Sequence, residues 1–341
     1  MVFCDVARTI FFEGVGELCN FVEQIKQCMT NSTGKSKIPG YSAFGHIAAL
    51  IAVAMWGYSF VSSKVLLENG LGPVQIYVYR FILAYILIAC ISHKRLWASN
   101  LREEGMLMLC GICAGSVYFI AENTALEYTL TTNVSLLTSL SPLITVILVG
   151  LIYKNEKLGM GTWIGSVVAI AGVACVVFNS SKSVEVRPLG DILSLAAAFC
   201  WAAYSLILRQ LNTYYDVCFI SRKTFFYGVL TALPFLAFEK DTADVLVVFQ
   251  EPQVYGNLLF LGVGASTVAY VLWASTVKSL GAVKANNYMY FQSIVTLIVS
   301  AVVLGEHVTV TGYIGIALII GGLWAGDNIN NILERRKAHN K

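Results

Sequence analysis

The strongest chemical signal in this chain is an arginine about seven residues into an otherwise apolar run, Pro73-Val-Gln-Ile-Tyr-Val-Tyr-Arg80. A guanidinium in such a setting faces protein or water, because an ionic group is costly in hydrocarbon. Its planar fork suits a carboxylate gripped through two hydrogen bonds. The competing readings are a fixed pair with Glu122 or Glu127, or a side chain that reaches back to the membrane surface. Glu122, with Asn123 beside it, is the acid set deepest in an apolar run. It is the candidate for proton coupling, since intramembrane carboxylic acids commonly serve proton relays; the alternative is a partner for Arg80. Arg222 and Lys223 are the corresponding cations of the second half, and they could equally mark the end of a helix.

Around these groups runs a pattern of aromatic and polar residues at helical spacing. Trp56, Ser59, Phe60 and Ser63 share one helix face, as do Tyr118 with Glu122, Trp201 with Tyr204 and Ser205, and Asn286 with Tyr290 and Ser293. Tyr288 and Gln292 form a second such line. Mixed faces of this kind suit a cavity for amphipathic metabolites, although buried Trp and Tyr also serve plain packing. The residues expected along a substrate pathway are therefore Trp56, Ser59, Arg80, Tyr118, Glu122, Asn123, Trp201, Tyr204, Arg222, Asn286, Tyr290 and Gln292.

Catalytic and cofactor chemistry lacks its residues. The four histidines, His46, His93, His307 and His339, are scattered, and neither an HExxH pattern nor a phosphate-binding GxxxxGK[ST] loop occurs. No cofactor and no metal are expected, and an intramembrane enzyme or a channel is the weaker reading. Cys110-Gly-Ile-Cys113 has redox spacing but sits in an apolar helix, so small-residue packing is the expectation for it.

The elements that must position these residues are membrane spans. Of 341 residues, 57% are hydrophobic and 13% charged. The apolar residues fall into ten blocks, near 43–66, 73–92, 105–127, 132–152, 160–178, 190–210, 218–238, 256–276, 284–305 and 309–326. Each is about long enough to cross ~30 Å of hydrocarbon as a helix. A lipid-exposed backbone must satisfy its own hydrogen bonds, so the expected fold is an all-α bundle of ten transmembrane helices.

Charge gives an orientation. With a cytoplasmic N-terminus, sixteen Lys and Arg residues fall in inner segments, among them Lys94, Arg95, Lys154, Lys157, Lys278 and Arg335, and three in outer ones, Lys182, Arg187 and Lys240. This asymmetry places both termini in the cytoplasm. The net charge of +3 is too small to indicate nucleic acid, so the expected partners are a small-molecule substrate and the lipid bilayer. Residues 1–42 read as an N-terminal tail, either an interfacial helix or a segment preceding a true start at Met29.

The blocks form two runs of five, and the second repeats the first. Aligning Trp56 with Trp201 sets Lys64 opposite Arg209; aligning Glu156 with Glu306 sets Gly165 and Gly172 opposite Gly315 and Gly322. Five is odd, so equivalent spans cross the membrane in opposite directions, the plan of inverted-repeat carriers with a site near the midplane. The expected units are 43–178 and 190–326, joined by a linker at 179–189 and followed by a basic tail at 327–341. Glu156 and Glu306 are expected to offset helix N-termini. Gly111-Ile-Cys-Ala-Gly115 and Gly161-Thr-Trp-Ile-Gly165 allow close helix approach, within the bundle or in a homodimer.

Ala54-Met-Trp-Gly-Tyr-Ser-Phe60 followed by Lys64, then Arg80, Ser141-Pro142 and Glu156-Lys-Leu158, with Trp201-Ala-Ala-Tyr-Ser205 and Leu304-Gly-Glu306 in the second copy, resemble the EamA repeat of the drug/metabolite transporter superfamily. The resemblance implies a carrier of small metabolites in the cytoplasmic membrane, often an exporter, working by alternating access. The polar groups favour an amino-acid-like cargo; a sugar-phosphate or nucleotide-sugar translocator of the same superfamily is the alternative. The chain departs from the pattern at Gln292-Ser293, where the family often has a proline equivalent to Pro142, which removes that source of a pivot from the ninth span.

Overall fold

A computed structural model describes residues 39–92, 95–153, 159–177, 188–239, 251–305 and 310–339, and the described residues contain helices and no strand. Residues 1–38, Glu156 and Glu306 lie outside the described residues, and 39–42, read as the end of the tail, begin the first helix. The helices are α1 (Pro39–Glu68), α2 (Pro73–Ile91), α3 (Leu101–Tyr128), α4 (Thr131–Ile152), α5 (Met160–Val177), α6 (Pro188–Leu211), α7 (Val217–Phe238), α8 (Pro252–Leu280), α9 (Ala282–Asn287 and Met289–Val303) and α10 (Val310–His339).

Six of them, α1, α2, α3, α4, α6 and α8, are long and apolar enough to cross a bilayer by length and composition. Shorter apolar runs, Met160–Gly172 and Val310–Gly322, lie in α5 and α10. Prolines at the first turns of α2, α6 and α8 cost no hydrogen bond, since those N–H groups have no helical acceptor. Gly281 joins α8 to α9 with φ of 83°, a conformation that favours a residue without a Cβ. The last helix continues to His339 through the segment read as a tail; after Gly326 it meets no glycine or proline to stop it.

The repeats meet through pairs of equivalent residues. Trp56 and Trp201, aligned by the repeat, touch edge to face with ring centroids 4.9 Å apart. A side chain on Gly172 would come within 2.6 Å of the Gly315 carbonyl, and one on Gly322 within 2.9 Å of the Gly165 carbonyl. Because Gly165 and Gly172 are the counterparts of Gly315 and Gly322, the contact maps onto itself when the copies are exchanged, as a two-fold relation requires. Likewise Gly111 of α3 abuts Gly228 of α7 while Gly262 of α8 abuts Leu83 of α2.

Both third helices widen at the same place. Ile112–Ser116 in α3 and Phe260–Val268 in α8 are π-helical, with Val117 N–H bonded to Ile112 O and Ala269 N–H to Gly264 O. Both fourth helices are interrupted. In α4 the break falls at Ser139-Leu140, just before Pro142. In α9 it falls at Tyr288 with no proline present, through turns from Ala285 O to Tyr288 N–H and from Tyr288 O to Phe291 N–H. The missing proline therefore does not make the ninth span continuous. The first half of α4 and the second half of α9 are joined by hydroxyls, Ser139 to Ser293 at 2.5 Å and Ser135 to Thr296 at 3.0 Å.

Candidate functional site

Arg80 is fully buried at the centre of this arrangement. Its Nε donates to Ser266 Oγ at 2.8 Å, which ties α2 of the first repeat to the π-helical part of α8 in the second. The Phe119 ring centre lies 4.6 Å from the guanidinium carbon and that of Phe81 at 5.5 Å. Among the described residues, neither of its buried terminal nitrogens has a hydrogen-bond partner. One edge of the fork is thus fixed and the other is left with donors to spare. Leaving buried donors unsatisfied is expensive.

Glu122 lies near enough for its charge to act on Arg80, and the Tyr118 hydroxyl one turn earlier bonds to its carboxyl. Beneath them is an aromatic cluster. Trp56 and Trp201 pack against each other and each against Tyr270 and Trp273 at 4.9–6.0 Å, with Tyr118 and Tyr204 against Trp201 at 5.3 and 5.2 Å. Two aromatic donors bond to carbonyls on the wide turns: Trp56 Nε1 to Ala265 O at 2.8 Å and Tyr270 Oη to Ala114 O at 2.5 Å. Ala114 and Ala265 sit in equivalent π-helical segments, so each repeat offers a backbone acceptor to a partner aromatic. Among the described residues, the indole N–H groups of Trp201 and Trp273 and the Tyr77 hydroxyl have no hydrogen-bond partner.

Of the residues expected from sequence, Trp56, Arg80, Tyr118, Glu122, Trp201 and Tyr204 come together here. Asn123 serves the scaffold: its amide donates to Pro73 O at 2.9 Å and holds the start of α2. Ser59 donates to Trp56 O within its own helix at 2.8 Å. Asn286 donates to Ala282 O at 2.9 Å and meets Ser205 of α6. Gln292 is buried with both amide atoms unpartnered. Tyr290 packs in a separate cluster with Leu136, Ala169, Leu297 and Ile319.

Arg222 lies outside the central group. It donates to the carbonyls of Ser92 and Arg95, at the end of α2 and in the loop after it. At the other end of α2, Glu239 accepts from the N–H groups of Val74 and Gln75 at 2.8 and 2.9 Å. The second repeat therefore sets an acid on the positive end of α2 and a base on its negative end, each matching the helix dipole. Lys223 is paired with Glu104, which also accepts from Tyr227 and from Ala98 N–H. Among the expected structural residues, Pro142 starts the second half of α4, and Gly165 and Gly315 lie in the α5–α10 crossing.

Sequence reasoning passed over Ser266, Tyr270 and Trp273. Their spacing of four and three residues sets them on one face of α8, the same signal that singled out Trp201 and Tyr204.

The sequence matches the EamA-like transporter family over residues 43–178 and 188–325. It is 25% identical over 311 residues to an uncharacterized transporter of Clostridium kluyveri, covering 86% of this chain and 95% of that one. It is 22% identical over 284 residues to a probable amino-acid metabolite efflux pump of Escherichia coli K12, covering 82% and 93%. A protein of known crystal structure shares the fold, with a TM-score of 0.66 at 17% identity, covering 87% of this chain and 100% of that one. The names of these relatives indicate a transporter rather than an enzyme. Two matched segments cover most of the chain, and they hold the equivalent tryptophans, wide turns and broken helices described above: the chain is a multi-pass membrane protein of the EamA-like transporter family.

Proposed function

We propose that the protein is a secondary carrier that exports small amino-acid-like metabolites across the cytoplasmic membrane by alternating access. The observation that carries this reading is Arg80, buried between the repeats with one edge on Ser266 and two unpartnered nitrogens on the other. A carboxylate of the cargo satisfies that edge through two charged hydrogen bonds. The aromatic cluster of Trp56, Trp201, Tyr270 and Trp273 takes the less polar part of the cargo, and its free indole donors add polar contacts. The efflux pump of Escherichia coli supports an amino-acid-like cargo by similarity.

In this reading the units 43–178 and 190–326 rock about the central group, with both termini in the cytoplasm. Glu122, beside Arg80, carries the coupling proton. A phosphate-bearing cargo has less support, because Arg222 and Lys223 are engaged with Ser92, Arg95 and Glu104. The test is counterflow of labelled amino acids in proteoliposomes holding the full chain. Exchange with an amino acid, lost in Arg80→Met, supports the reading. Exchange with sugar phosphates alone overturns it.

A further inference from the structure

We propose that a phospholipid with an anionic headgroup binds a cavity between α3, α4 and α6, apart from the Arg80 group and at the end of the bundle that carries the 92–100 loop. The cavity measures about 490 Å³. Arg102 enters it from the first turn of α3, Tyr153 from the end of α4, Arg209 and Gln210 from the last turn of α6, and Tyr214 from the turn that follows. Its wall is built rather than incidental. The Arg209 guanidinium lies over the Tyr153 ring at 4.9 Å, and Gln210 Nε2 donates to the Tyr153 hydroxyl at 2.9 Å. The acid on the wall, Glu103, accepts from the Tyr215 hydroxyl.

Helix register argues for a lipid over a water-borne anion. Arg102 and Leu109 are seven residues apart on α3 and share a face, and Leu101 beside them is 92% exposed. On α6, Gln210 follows Phe199 by three turns on one face, and Phe199 is 53% exposed. On α4, Leu151 and Ile152, 67% and 58% exposed, end the exposed apolar run just before Tyr153. The cavity therefore opens where three apolar, membrane-facing stripes reach the polar boundary. A phosphodiester there meets two arginines and two tyrosine rings, while the acyl chains run down the stripes. Basic pockets between spans at this depth bind anionic headgroups, and Tyr rings favour the same layer.

The experiment is native mass spectrometry of the full chain in detergent, titrated with phosphatidylglycerol or phosphatidylcholine, with thermal unfolding followed in parallel. Phosphatidylglycerol is expected to bind preferentially and to raise the unfolding temperature. The double variant Arg102→Ala/Arg209→Ala is expected to lose about thirtyfold in affinity for it, while Lys278→Ala, which removes a charge elsewhere, keeps parental binding. Arg102→Glu alone leaves the Arg209–Tyr153 stack in place and is expected to weaken binding in the same direction. Equal binding of both lipids, an equal loss in Lys278→Ala, or unchanged binding in Arg102→Glu would overturn the proposal. Stabilisation by inorganic phosphate as large as that by the lipid would also overturn it, in favour of a soluble anion.

Discussion

Arg80 holds its charge where most arginines would destabilise a bundle. Its single hydrogen bond among the described residues, to Ser266, orients the guanidinium without satisfying it. A merely structural arginine and a cargo-binding one make opposite predictions here. Arg80→Met keeps most of the packing volume and relieves the desolvation cost of a buried guanidinium whose terminal nitrogens have no partner among the described residues. We expect the variant to insert and unfold at a temperature no lower than the parent, with exchange reduced at least ~30-fold, the lower range for losing one side of a buried charged pair. Arg80→Lys keeps the charge but not the fork, so half-maximal exchange should need about tenfold more cargo. A large drop in unfolding temperature with exchange preserved would make Arg80 a scaffold residue. Glu122 has a separate readout. If its carboxyl carries a proton during each cycle, Glu122→Gln flattens the pH dependence of flux and leaves counterflow intact. An unchanged profile makes Glu122 an electrostatic neighbour of Arg80 and no more.

At the scale of elements, the repeat is expressed in backbone geometry as much as in side chains. The π-helical turns of α3 and α8 expose Ala114 O and Ala265 O to aromatic donors, and the breaks in α4 and α9 fall at matching places. The α5–α10 crossing depends on glycine in both copies, with Gly172 against Gly315 and Gly322 against Gly165. Gly172→Val puts branched carbons where only 2.6 Å separates an added Cβ from a carbonyl. We expect it to cost about 1–3 kcal/mol, read as a lower unfolding temperature in detergent. The same substitution at Gly105, where an added Cβ meets nothing within 4 Å, should cost less. Much of this was legible in the residues. Aligned Trp56 and Trp201 already implied two related halves, and the small-residue run Gly161-Thr-Trp-Ile-Gly165 implied close helix approach without naming the partner helix. The wide turns were not legible, because a change from i+4 to i+5 bonding leaves the apolar pattern of a buried helix intact. Arg222 and Tyr290 were placed on the pathway by depth and helical face alone. Neither property shows which neighbour a side chain meets: Arg222 found the carbonyls of Ser92 and Arg95, and Tyr290 a satellite cluster near α5 and α10.

For the whole molecule, the end that faces the cytoplasm decides which of the two fastenings around the Arg80 group lies on which side of the membrane. Charge argues for an inner end formed by the loops near 92–100, 153–159 and 212–216, because Lys94, Arg95, Lys154 and Lys157 concentrate there. At this end Arg222, Lys223 and Arg95 strap the first loop to α7. At the opposite end Glu239 clasps the start of α2. In alternating access one of these two fastenings opens while the other holds. A cysteine placed at Ser99, in the strapped loop, should react with an impermeant maleimide from inside-out vesicles and not from intact cells. Cysteines at Ser181 and Lys240 should show the reverse, each judged against the parent protein, whose Cys90 is also exposed. Cargo should further slow labelling at Ser99 if it draws the strap closed. Labelling of Ser99 from intact cells would invert the bundle and assign the basic end to the outer face.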